Sequence, residues 1–148
     1  MRILILLGAL AIATGASAQT GPQDGLTQGR WRQAFMMQMR LPGSDTLTPP
    51  QSQTQIDCFG ERDVADPRRI LLVGAEEVCT ISDFAMTGGK IRLSASCTFA
   101  PDAVYSGDLT GSYSATAFDL GGEMRGPDGV VIVAAMKAER LGPCTPSA

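Results

Sequence analysis

The sequence contains no histidine and no asparagine among its 148 residues. Histidine is the commonest general base and metal ligand, so we expect neither a histidine-based catalytic site nor a metal cofactor. Without asparagine there is no N-glycosylation site. The formal net charge of −3 gives no reason to expect nucleic acid or an anionic membrane as a partner.

Long apolar runs are also scarce, and the one that stands out lies at the N-terminus. Arg2 precedes an apolar run over residues 3–13, and Ala16-Ser17-Ala18 has the small-x-small pattern of a signal-peptidase site. A membrane-spanning helix needs about 20 apolar residues, which this run does not reach. We therefore predict a signal peptide over residues 1–18, cleaved between Ala18 and Gln19. The product is expected to be a soluble periplasmic protein without a membrane anchor, with a flexible tail over residues 19–28 and a single domain over residues 29–148.

Only four cysteines are present: Cys58, Cys79, Cys97 and Cys144. Their spacing lacks the Cys-x-x-Cys pairs that are typical of zinc sites and redox-active sites. In an exported chain, widely spaced cysteines indicate structural disulfides. Four cysteines can pair in three ways, so the spacing alone does not choose the partners.

A hairpin signal at Gly88-Gly89 selects one pairing. Residues 78–87 and 90–99 read as its two strands, but the apolar positions of the first strand change parity between Ile81 and Phe84. One extra residue near Ser82-Asp83, a β-bulge, restores a single apolar face. The bulged register pairs Met86 with Ile91, Phe84 with Leu93, Ile81 with Ala95 and Cys79 with Cys97. This leaves Cys58 to pair with Cys144.

The remaining pattern is that of an all-β protein. Strands are predicted over residues 29–41, 53–59, 78–87, 90–99, 108–115, 120–125 and 130–141. Asp66-Pro67 is typical of a helix start, so we predict one short helix over residues 67–72. The expected fold has six or seven antiparallel strands in meander order, forming a curled sheet, half-barrel or sandwich. A Cys58–Cys144 bond would hold the last strand beside the second.

Several of these segments recur in the same order in one known family. They are Gly29-Arg30-Trp31-Arg32, the Cys58 segment with Asp66-Pro67, the Cys79–Cys97 hairpin, and the ending Arg140-Leu141-Gly142-Pro143-Cys144. On these residues the chain resembles the secreted bacterial family named domain of unknown function 3617. The resemblance spans nearly all of the chain after the signal peptide. It implies a periplasmic envelope protein of a Gram-negative organism, and it brings no catalytic residues.

Methionines are concentrated in the first predicted strand, at Met36, Met37 and Met39. Met37 and Met39 share a face with Trp31 and Phe35, which indicates that they fill the core. Met36 points to the other face. Thioethers also bind Cu(I), so copper binding that involves Met36 is left open.

Three groups of charged residues could serve a catalytic or anion-binding site: Asp63 with Asp66, Glu76 with Glu77, and the row Arg30, Arg32 and Arg40 on the outer face of the first strand. The carboxylate pairs are interpreted as solvated charge beside a loop or helix. The arginine row is interpreted as the protection of a strand edge, with an anion-binding stripe as the alternative.

We therefore expect a monomeric, non-catalytic binding or interaction module with no catalytic residue, cofactor or metal. Its partner would be a protein or a small molecule. The alternative is a carrier that holds a small apolar ligand in a β cup. An enzyme with an unrecognised carboxylate site is the third hypothesis.

Overall fold

Seven antiparallel strands form a single sheet in the computed structural model, which describes residues 25–145. The strands are β1 (Gly29–Arg40), β2 (Gln51–Phe59), β3 (Cys79–Thr87), β4 (Lys90–Ala100), β5 (Ala103–Ser114), β6 (Ala117–Arg125) and β7 (Val131–Gly142). Helices α1 (Glu61–Ala65) and α2 (Arg68–Leu71) lie between β2 and β3. The predicted fold class is confirmed. The predicted helix corresponds to α2, and α1 is an addition.

The strand order is β2-β1-β7-β6-β5-β4-β3. Strands β3 to β7 form a meander, and β7 then pairs with β1, which carries β2 on its other side. The sheet does not close, because β2 and β3 lie at opposite edges. The prediction that the last strand lies beside the second is therefore wrong: β1 separates them. The interpretation of β1 as an edge strand is wrong for the same reason.

The β3–β4 hairpin has the predicted bulge. Ser82 pairs with Ser94 and Ala85 with Arg92, so two residues of β3 lie opposite Leu93. Asp83 takes a positive φ of 49°, which absorbs the extra residue. The pairs Met86–Ile91, Ile81–Ala95 and Cys79–Cys97 are as predicted. Phe84 lies in the bulge and packs against the core.

Both predicted disulfides are present. Cys79 and Cys97 are joined across the hairpin with their Cα atoms 4.0 Å apart. Cys58 and Cys144 are joined with Cα atoms 5.7 Å apart. Because Arg30 of β1 pairs with Cys58 on one side and with Gly142 on the other, the second bond passes across the start of β1.

The core lies on one face of the sheet and is covered by α2. Trp31 and Gln33 of β1 and Ile70 of α2 are all 0% exposed. The Gln33 carboxamide donates a hydrogen bond to the Ile70 carbonyl at 3.2 Å, which ties α2 to the sheet. Gln33, the polar exception on the predicted inner face of β1, therefore holds the helix in place.

The ordered domain begins before the predicted boundary at Gly29. Leu26 is buried, and the Thr27 amide donates to the Ala115 carbonyl at 2.8 Å. The Trp31 indole N–H donates to the Thr27 carbonyl at 3.0 Å. Leu26 and Thr27 are thus held by the sheet, although they precede the predicted domain boundary. The predicted cleavage between Ala18 and Gln19 lies outside the described residues.

Candidate functional site

The concave face of the sheet contains a cavity of about 390 Å³ beneath α2. Its wall is apolar. The sheet contributes Phe35, Leu93, Leu109, Leu120, Met124 and Met136, and the connection after β2 contributes Leu71, Leu72 and Ala75. The Cys79–Cys97 disulfide forms part of the same wall. Among the described residues, the lining includes no ionisable side chain.

The cavity exists because small residues occupy the inner face where the sheet curves. Ala95 of β4 pairs with Gly107 of β5, and Leu109 pairs with Gly122 of β6, which in turn pairs with Ala134 of β7. A Cβ atom on Gly107 would collide with the Glu123 carbonyl of β6. Glycine therefore lets β5 and β6 approach closely. Ala95 and Ala134 line the cavity with small side chains.

Apolar side chains at the border of the cavity are exposed. Met37 is 40% exposed and Phe99 is 49% exposed, and both line the cavity.

The prediction that Met37 and Met39 fill the core is wrong, since Met39 is also 36% exposed. Copper binding that involves Met36 stays a hypothesis. Within residues 25–145, no three His, Cys, Asp or Glu side chains are grouped to hold a metal ion.

One part of the border is polar and belongs to β2. Gln51, Ser52 and Gln53 are exposed and line the cavity. Further along the same face, the Gln55 carboxamide donates to the Gln33 side-chain oxygen at 3.1 Å. These glutamines are not among the residues predicted from the sequence, although their alternation on one face of β2 was the available signal.

One known protein family matches the part of the chain that forms these strands and disulfides. The family described as "Protein of unknown function (DUF3617)" matches residues 26–144. The chain belongs to this family. The match begins at the buried Leu26 and ends at Cys144, so both disulfides of the DUF3617 domain lie within it. No curated protein matches the chain.

The outer face of this DUF3617 domain carries arginines and glutamates that form ion pairs. Arg32 of β1 forms an ion pair with Glu139 of β7, and Arg40 contacts Glu123 of β6 at 2.8 Å. Arg125 contacts the same Glu123 at 2.9 Å. Two arginines of the predicted row therefore form ion pairs, Arg32 with a carboxylate of the adjacent strand β7 and Arg40 with one of β6, the next strand along. No helix within residues 25–145 is long and apolar enough to cross a membrane.

The carboxylates singled out from the sequence hold the two helices of the DUF3617 domain. Asp63 accepts hydrogen bonds from the Gly60 amide at 2.9 Å and from the Arg69 guanidinium at 3.1 Å. These bonds, the backbone one first, lower the pKa of Asp63. The pKa of Asp66 is lowered by its hydrogen bonds from Arg68. Both groups lie outside the cavity lining, as does the Glu76–Glu77 pair.

Replacing Asp63 by alanine is expected to lower the free energy of unfolding by about 1 kcal/mol at neutral pH, because the variant loses the cap of α1. The pKa of Asp63 is lower in the folded than in the unfolded protein. The stabilisation by Asp63 is therefore fully present above about pH 4, the pKa of an unfolded aspartate, and it is lost as the pH falls through the folded-state pKa. Urea denaturation at several pH values measures it. Asp45→Ala, in the exposed loop after β1, is the control. A difference between wild type and Asp63→Ala that stays constant down to about pH 2 would contradict the assignment.

Proposed function

We propose that this protein binds a small apolar molecule in the cavity of its curled sheet, and that it does so in the periplasm. The observation that carries the proposal is an apolar cavity of about 390 Å³, open to solvent at its border, in a disulfide-bonded domain. An apolar ligand would remove this wall from water and gain free energy in proportion to the area covered.

The volume sets the size of the ligand. An apolar cavity of about 150 Å³ holds one benzene molecule. By that proportion, the cavity of about 390 Å³ holds roughly 15 non-hydrogen atoms. A medium-length acyl chain or a molecule with two or three fused rings has this size. The cavity also lies within the range of volumes known for small-molecule sites, about 300 to 1,000 Å³.

The chemistry of the wall favours binding over catalysis. General acid–base catalysis needs an ionisable side chain within hydrogen-bond reach of the reacting group. The described lining offers carboxamides from Gln51 and Gln53, the Ser52 hydroxyl, and otherwise apolar groups. The periplasmic location is supported by the disulfides, which persist in oxidising compartments.

A protein-interaction module was the first hypothesis from the sequence. Such a module would be expected to present a large exposed apolar patch. The outer face of β1, β6 and β7 instead carries the Arg32–Glu139 and Arg40–Glu123 ion pairs. The exposed Met37 and Phe99 lie at the border of the cavity. Small-molecule binding therefore accounts for more of the structure.

Filling the cavity tests the proposal. Ala134 lines it, beside Met37 on β1 and Gly122 on β6. Ala134→Phe is expected to weaken binding of the neutral fluorescent probe N-phenyl-1-naphthylamine at least about tenfold. The larger ring takes up volume that the probe needs, and a tenfold loss is about 1.4 kcal/mol.

The matched control is Ala34→Phe, which adds the same ring to the exposed outer face of β1. This variant should bind the probe with an affinity within about twofold of wild type. Thermal unfolding of both variants confirms that they are folded. Failure of the wild type to bind the probe, or equal binding by Ala134→Phe, would overturn the proposal.

A further inference from the structure

The cavity has two chemically different parts, an apolar wall and a border of glutamines, and together they specify the ligand more narrowly. We propose that the ligand is an uncharged amphiphile, with its apolar part in the cavity and a neutral polar head against Gln51 and Gln53. The head would be a hydroxyl, ester or amide. This inference rests on the proposed function and adds the chemical class of the ligand.

The absence of charge in the wall is the first argument. A carboxylate or phosphate head would need a lysine or arginine beside it, and an ammonium head would need a carboxylate. None of the described residues that line the cavity supplies either. An ion drawn against such a wall would lose part of its hydration without gaining a charged partner, which is unfavourable.

The glutamines themselves are the second argument. Gln51 pairs with Met37 and Gln53 pairs with Phe35, so each carboxamide stands beside an apolar side chain that lines the cavity. Gln55, the next in the row, is already hydrogen-bonded to Gln33. Gln51 and Gln53 are exposed. A carboxamide both donates and accepts, which matches a hydroxyl, ester or amide and needs no counter-ion.

Competition with three ligands of equal chain length tests the inference. Decan-1-ol, decanoate and decylammonium are titrated against bound N-phenyl-1-naphthylamine at about pH 8, where both ions are charged. Decan-1-ol is expected to displace the probe at a concentration at least about tenfold lower than either ion. A wild-type protein that prefers decanoate or decylammonium overturns the inference and leaves the proposed function standing. If the wild-type protein does not bind the probe, the proposed function itself is contradicted.

A charge introduced at the border gives a second, independent readout. Gln53→Lys is expected to improve decanoate binding about tenfold or more, because it supplies the missing counter-ion. Thr54→Lys adds the same charge to the same strand on the opposite face and is the matched control. Decanoate binding that improves equally in both variants would show a general charge effect and would overturn the placement of the head group.

Discussion

Replacing Cys58 and Cys144 together by alanine is expected to lower the free energy of unfolding by about 4.5 kcal/mol. The two residues are 86 positions apart, and the bond between them restricts the unfolded chain over that whole length. The bond also fastens an edge: β2 pairs only with β1 in the sheet. A domain at the lower end of the ordinary range of stability, about 5 kcal/mol, would be left close to its unfolding threshold.

The double variant Cys79→Ala and Cys97→Ala is the matched comparison. Its bond joins residues only 18 positions apart and therefore restricts the unfolded chain less. The expected decrease in the free energy of unfolding is smaller, about 3 kcal/mol. Urea denaturation followed by circular dichroism measures both. If the first variant does not fold, the denaturation midpoint of wild type after stepwise reduction gives the same comparison. Equal losses, or a larger loss from the hairpin pair, would contradict the loop-length argument.

Trp31→Ala is expected to cost about 3 to 5 kcal/mol, the range for removing a large aromatic side chain from a packed core. Trp31 is 0% exposed and its ring centroid lies 6.0 Å from that of Phe118. Its indole N–H also holds Thr27, so the substitution releases the segment before β1. The decrease in the free energy of unfolding therefore has two sources, the cavity left by the ring and the lost hydrogen bond to Thr27.

Trp31→Phe separates these two contributions. It keeps an aromatic ring against Phe118 and removes the hydrogen bond to Thr27, so its expected cost is smaller, about 1 to 2 kcal/mol. The measurement uses far-UV circular dichroism, since Trp31 is the one tryptophan in the sequence and its fluorescence is lost. A cost below about 1 kcal/mol for Trp31→Ala would show that the ring is not a core residue.

The hairpin could be predicted in detail because two independent constraints meet in it. The glycine turn fixes one end of the register, and the parity change between Ile81 and Phe84 requires one extra residue. Together they leave only one partner for Cys79. The sheet order could not be predicted in the same way. Pairing of β1 with β7 joins residues as far apart as Arg30 and Gly142, and no short-range signal specifies it.

The site was harder to predict than the fold. Alternation correctly put Met37 on the inner face, but it carries no information on what covers that face. The covering depends on where the sheet stops and where α2 lies, and both are long-range properties. The cavity itself comes from small residues such as Ala95 and Ala134, which read in the sequence as ordinary strand positions. The carboxamides of Gln51 and Gln53 likewise gain meaning only from their apolar neighbours.

The position of β1 has a consequence for the order in which the protein matures. Cys144 follows Gly142 by two residues, and Gly142 reaches Cys58 only by pairing with Arg30 of the strand between them. The two thiols are therefore neighbours only after the C-terminal strand has arrived. Oxidation of the hairpin pair needs only local contacts, whereas oxidation of the long-range pair reports a completed sheet. A chain with the hairpin bond formed and two free thiols has not yet paired its last strand, and those thiols remain open to thiol–disulfide exchange.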